Sequence, residues 1–339
     1  MSQERGTGTR LALALVWGFL ALSISIVLAL VLGAQKIDFG HAFSSSTAGN
    51  ADAVLLFEVR LPRVLLGALS GVALGAVGAS LQALLRNPLA DPYVLGTSGG
   101  AALGATVAIA LGLPATLAAL TLPLWAFLGA MAATFLVWMI ARRGASASPT
   151  GIILAGIVIN AFASAAITFV KVLVSSTQAQ ELLFWLVGSI GYERKGTLLL
   201  LAGYVVVGVV ALSALSGRMN LLSLGDDAAA TLGVRVKHVR WMIFSFAALL
   251  VGGVTSLCGL IGFVGLVVPH AARLMLGPDQ RLVVPTSALF GGAFLVLADL
   301  GSRLLFDAFG TEPPVGAITA LIGCPVFLAM LLRSKHAAR

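Results

Sequence analysis

Uncharged stretches of unusual length set the pattern of this chain. Eight of them reach 17 residues or more without Asp, Glu, Lys or Arg: 11–35, 64–85, 92–141, 144–170, 196–217, 241–272, 282–298 and 313–332. Charge is expensive in hydrocarbon, and about 20 apolar helical residues cross a layer about 30 Å thick, so each stretch predicts at least one membrane-spanning helix. Two hold a pair. The run 92–141 is interrupted at Gly112-Leu113-Pro114 and again at Pro123, and the run 241–272 around Gly259 and Gly262. Ten spans result, an all-α integral membrane protein organised as a single polytopic domain over residues 1–339, with both ends on one side. The first run follows Arg5 and Arg10, but its apolar core, Leu11 to Gly33, exceeds the roughly 7–15 residues of a secretory signal. It reads as a retained span.

Composition sharpens this picture. The chain is 59% hydrophobic and 10% charged, against about 45–50% and about 25% in soluble domains. A soluble enzyme, a nucleic-acid-binding domain and a disordered chain are excluded. The net charge of +8 is explained by topology. With the amino terminus inside, 14 of the 21 basic residues fall on the inner loops and 7 on the outer, the bias that orients membrane proteins. Nucleic acid is not needed as a partner; membrane lipid is. Cys258 and Cys324 are too few for a disulfide framework and have no metal-ligand spacing around them.

Between the spans lie the candidate functional segments. Arg86-Asn87-Pro88-Leu89-Ala90-Asp91-Pro92, on the inner side, cannot continue a helix because of its two prolines, and predicts a short stiff hairpin. It is either a connector or a constriction. The inner segment Arg218 to Arg240 predicts a short helix outside the membrane, capped by Ser223 or Gly225, with Asp226 and Asp227 in its first turn and Gly233 ending it. Leu224, Ala228 and Leu232 would share one face, an apolar stripe suited to a groove on another protein. On the outer side, Arg60-Leu61-Pro62-Arg63 opens span two, and Asp299 and Arg303 close span nine one turn apart. These arginines either snorkel to lipid phosphates or meet carboxylates of an acidic partner. Residues 172–192 predict an outer amphipathic helix. Gly67, Gly71, Gly75 and Gly96, Gly100, Gly104 repeat every four residues, as tight helix packing or a narrow passage requires.

What is missing narrows the function. The spans carry no ionisable residue deep inside, as ion-coupled carriers usually need, and no catalytic cluster. His270 stands alone. Energy must come from elsewhere, yet none of the five lysines follows a glycine, so a phosphate-binding loop is absent. Any ATPase would be a separate subunit.

The segments Arg60-Leu61-Pro62-Arg63, Asn87 to Pro92 with Leu95-Gly96, Leu224 to Ala228 with Leu232-Gly233-Val234, and Gly262 to His270 resemble, in order and spacing from about residue 54 to 333, the permease subunits of type II ABC importers. That family takes up ferric siderophores, haem and vitamin B12. The resemblance implies the fold of those permeases, about ten transmembrane helices per subunit, and a homodimer in a bacterial inner membrane with both termini cytoplasmic. It also implies an ATPase dimer below, carrying ATP and Mg, and a periplasmic binding protein above, with no cofactor on this chain. By the same resemblance, Leu221, Leu224, Gly225, Asp226, Asp227, Ala228, Leu232 and Gly233 would couple to the ATPase. Arg60, Arg63 and Arg303 would meet glutamates of the binding protein. Asn87, Pro88 and Leu89, with Ser146, Ala147 and Ser148, would form two cytoplasmic gates. Ferric siderophore ranks first as cargo, then cobalamin, then haem. An ion-coupled carrier or channel is the alternative.

Overall fold

The computed structural model describes residues 2–33, 35–44, 50–112, 115–143 and 149–336. The regular elements among the described residues are all helices, and the charge gaps mark them well. Seven helices are long and apolar enough to cross a membrane, and three shorter apolar helices, Thr97–Ala110, Val264–Leu276 and Val315–Ala329, complete the ten predicted segments. In chain order the elements are α1 (Ser2–Val31), α2 (Ala51–Leu84), α3 (Thr97–Ala110), α4 (Ala115–Arg143), α5 (Pro149–Leu173), α6 (Ser176–Val187), α7 (Lys195–Ser223), α8 (Asp226–Thr231), α9 (Val236–Cys258), α10 (Val264–Leu276), α11 (Gln280–Leu304) and α12 (Val315–His336).

Helix α2 is the axis of the bundle. It packs against α7, α9, α10 and, most extensively, α11. Its small residues cause this. A methyl group on Gly75 would lie 2.0 Å from the Ser287 carbonyl oxygen, and one on Gly71 would lie 2.2 Å from that of Gly291. Backbone therefore touches backbone, the contact that favours small residues where solvophobic driving force between helices is weak. Gly100 and Gly104 serve the same purpose between α3 and α4. Both trios thus serve packing, except Gly96, which stands outside the helix at φ 80°.

Three boundaries differ from the sequence reading. Pro123 lies inside α4 and does not end it; the break falls between Ala110 and Ala115 alone, with Gly112 at φ 59°. The third segment does not begin at Pro92. Residues Pro92–Leu95 form one 3-10 turn capped by Asp91, and α3 starts after Gly96. The entry to α2 is a π-helical turn, Leu55–Arg60, where the Leu61 N–H reaches back to the Leu56 carbonyl. That wider turn keeps the helix continuous into Pro62, which has no N–H to offer. The short helix predicted within residues 172–192 is α6, and the capping box formed by Ser175 and Gln178 starts it.

Two irregular stretches, 86–96 and 259–263, meet inside the bundle. Helix α10 has only 13 residues, about 20 Å, and the chain before it runs non-helically from Gly259, with Phe263 at φ 69°. The Ile261 N–H donates to the Tyr93 hydroxyl at 2.9 Å. Backbone without helical partners is tolerated at membrane depth only where protein or water satisfies it, and here a tyrosine from the other irregular stretch does so.

Candidate functional site

The predicted site residues fall at opposite ends of α2. Between Leu61 and Leu84 the helix runs 24 residues, about 36 Å, which separates the arginine end from the hairpin end.

At the arginine end, the structure brings Arg60, Arg63 and Arg303 together, around Asp299. Asp299 is 1% exposed. It accepts from Arg63 Nε at 2.9 Å and from Arg303 Nε at 3.0 Å, and Arg63 also pairs with Glu312 at 2.7 Å. Arg60 donates to the carbonyls of Leu30 and Gln35 at 2.9 and 2.6 Å, and Arg303 to that of Ala29 at 3.1 Å. These are carbonyls at and just beyond the end of α1, the groups a helix leaves unsatisfied, and cations suit that end. Arg60 and Arg303 are only 6% and 5% exposed. In the free chain these two are therefore not open to an outside carboxylate. Their guanidiniums are turned inward because α1 offers carbonyls there. Arg63, partly exposed beside Glu312, alone keeps an outward edge.

At the other end lies the hairpin. Asn87 Oδ1 accepts from the Leu89 N–H at 2.9 Å, the Asn87 N–H returns to Gln82, and Ala90 bonds back to Asn87. These bonds close the turn, and Leu89 at its tip is 43% exposed. Pro88 is exposed and Asn87 half-buried. Ser146, Ala147 and Ser148, the other predicted gate, lie outside the described residues. Asp91 caps the following turn by accepting from the Tyr93 N–H at 2.8 Å. Burial raises its carboxyl to about 6, against the lowering effect of that N–H. A carboxyl raised in the folded state gives stability that is full below its unfolded value of 3.8 and lost as pH rises through about 6. Asp91→Asn keeps the capping oxygen and removes the charge. Because Asp91 retains partial exposure, its gain over the parent is expected to be on the order of 1 kcal/mol at pH 7.5 and smaller at pH 5. Thermal unfolding of the solubilised protein at both pH values measures it.

Beside the hairpin is α8. It spans six residues, with Gly225 at φ 122° before it and Gly233 at φ 82° after it. The sequence reading placed Leu224, Ala228 and Leu232 on one helix face. In the structure Leu224 and Leu232 instead flank the short helix, because Gly225 breaks the chain direction after α7. Both remain open, at 65% and 58% exposed. Leu221 and Ala228 are half-buried, Asp227 and Gly233 exposed, and Ala229 anchors the helix in the core. Asp226 accepts from Arg86 of the hairpin and from Arg240 of α9.

A third location escaped the sequence reading. A cavity of about 300 Å³ lies among α3, α5 and α6, lined by Ser98, Asn160, Ser164, Thr168 and Leu260 among others. Asn160, Ser164 and Thr168 recur every four residues on α5, so they share a face, and that spacing was the available signal. Asn160 Oδ1 accepts from the Gly99 N–H at 3.1 Å, an unpaired donor of the first turn of α3, and its Nδ2 donates to the Tyr93 carbonyl at 3.0 Å. Polar groups within a span face a bundle interior or a water-filled space.

Among the described residues there is no group of three or more His, Cys, Asp or Glu that could hold a metal ion. His270 sits against the Phe327 ring, with both ring nitrogens buried and no hydrogen-bond partner.

Comparison with known proteins agrees with this architecture. The model of the FecCD transport family matches residues 21–333. The chain is 42% identical over 278 residues to a cobalamin import system permease protein of Halobacterium salinarum, covering 82% of this chain and 73% of that one. It is 37% identical over 328 residues to a hemin transport system permease protein of Yersinia pestis, covering 95% and 96%. Among solved structures, a chain from a metal-chelate type ABC transporter in an inward-facing conformation superposes with a TM-score of 0.83 at 29% identity, covering 94% of this chain and 98% of that one.

Proposed function

This chain belongs to the FecCD transport family, and from that premise we propose that it is the membrane half of an ATP-driven importer of metal chelates. It is a multi-pass permease and not an enzyme. The observation that carries the reading is the open pair Leu224 and Leu232 around α8, on the same end of the bundle as the hairpin. An apolar knob held outside the membrane by a core-anchored helix suits a groove on an ATPase subunit. ATP and Mg would be bound there, since this chain has no phosphate loop. Two copies of this chain would enclose one path, with the polar face of α5 lining it. A periplasmic binding protein would deliver cargo at the arginine end, where Arg63 and Glu312 offer a charged edge, and the membrane would be a bacterial inner membrane with both termini cytoplasmic.

For cargo, the relatives named above handle cobalamin and hemin, and ferric siderophore belongs to the same chemical class. Cobalamin is the first probe because its permease shares the higher identity. Coexpressed with an ABC ATPase and a binding protein of its own organism, the chain is expected to purify as a complex of two permeases and two ATPases. That complex is expected to move cobalamin, hemin or a ferric siderophore into vesicles. A monomer that retains no ATPase would contradict the proposal.

A further inference from the structure

The hairpin and the coupling helix are joined by one ionic clasp. Arg86, two residues past the end of α2, has a left-handed backbone, φ 49°, which no glycine relieves. The bend aims its side chain across to the α7–α8 junction. There Nε donates to the Leu222 carbonyl at 2.8 Å, at the end of α7, and Nη2 pairs with the Asp226 carboxylate. Asp226 is the first residue of α8, and both of its oxygens also accept from Arg240 Nη2 at 3.0 Å. Arg240 belongs to α9 and is buried. One carboxylate therefore ties the hairpin, the coupling helix and a core helix together.

We propose that Arg86 and Asp226 form the mechanical link by which displacement of α8 moves the hairpin, making Arg86 a positioning residue for the hairpin tip at Leu89. The inference rests on the reading of the chain as an ATP-driven permease. Three features of the structure support it. The hairpin from Asn87 to Pro92 is braced by the Asn87 turn, two prolines and the Asp91 cap, so a pull at Arg86 is passed on to Leu89. The guanidinium makes two contacts, one to the end of α7 and one to the start of α8, so it senses the angle between them. Finally, α8 is short and bounded by two positive-φ glycines, Gly225 and Gly233, which lets it tilt as a unit and carry the Asp226 carboxylate with it.

The test labels the hairpin tip. Leu89→Cys is introduced with Cys324→Ser, since Cys324 is exposed while Cys258 is buried, and the full permease–ATPase complex is placed in nanodiscs. Maleimide labelling of position 89 is expected to change about fivefold or more on addition of ATP. In Arg86→Gln the change is expected to fall below about twofold while ATP hydrolysis continues. Arg86→Lys, with one donor group in place of the fork, should retain part of it. Asp226→Asn cuts the same link from the other side and also loosens the Arg240 contact, so the response at position 89 should fall at least as far as in Arg86→Gln, with no further loss when the two are combined. Retention of the full ATP response in Arg86→Gln would overturn the link and leave the permease reading intact. No ATP response at position 89 in the Arg86 parent, or no hydrolysis by the complex, would sink the reading and the link together.

Discussion

Replacing Asp299 with alanine is expected to destabilise the protein by on the order of 3–5 kcal/mol, the range for removing one partner of a buried charge pair. Asp299 is the only acidic group touching both Arg63 and Arg303 among the described ion pairs. Without it, Arg303 keeps a nearly buried positive charge with carbonyls as its hydrogen-bond partners, and Arg63 keeps Glu312 as its ion-pair partner. Arg60 and Arg303 would repel each other across the end of α1, so the loss should appear as detachment of α1 from α11. Thermal unfolding of the solubilised chain, with protease cleavage between α1 and α2 as a local readout, measures it. Replacing Asp299, Arg63 and Arg303 together by Leu, Leu and Met should recover much of the loss, because the charges then leave together. An Asp299→Ala protein as stable as its parent would show that the cluster is solvated. The same burial changes how charge reversal at Arg60, Arg63 and Arg303 would be read. Glutamate at Arg60 or Arg303 would break the seat of α1 before any partner docks, so only Arg63→Glu isolates docking.

A double change beside α8 is expected to act on assembly and leave the bundle alone. Leu224 and Leu232 each expose more than half their surface, so Leu224→Asp with Leu232→Asp leaves no cavity in the core. If they are anchors in an ATPase groove, each should be worth about 2 kcal/mol or more, and together the affinity should fall on the order of a thousandfold. Ala230→Asp, on an exposed position of the same helix, should have a much smaller effect. Binding of fluorescent ATPase to nanodisc-embedded permease, with unfolding midpoints as a control, separates the outcomes. Equal affinity in parent and double variant would remove these leucines from the interface.

The spans were legible because charge exclusion acts on each segment independently of its neighbours. The count of ten segments survives, with the three shorter apolar helices included. Legibility fails where tertiary partners decide. Nothing local in Pro92–Leu95 shows that helix onset waits for Gly96; that depends on Tyr93 supporting Ile261 and on Asn160 capping α3. Pro123 has a breaker's identity, yet α4 continues through it. The arginines carry the sharpest lesson. Their positions at helix ends were readable, but whether a guanidinium points outward or into α1 depends on which carbonyls lie unsatisfied nearby, and those belong to residues some 30 and 270 positions away. For Arg86 and Asp226, 140 positions apart, neither periodicity nor spacing carries a signal. The polar face of α5 could have been found, since Asn160, Ser164 and Thr168 keep helical spacing within an apolar run.

The most direct measurement compares uptake of radiolabelled cobalamin, hemin and a ferric siderophore into proteoliposomes under three conditions: the permease alone, the permease with its ATPase and binding protein, and that assembly with ATP. The account predicts accumulation of one of these chelates above the outside concentration only in the third. Accumulation against a gradient by the permease alone, without nucleotide, would contradict it.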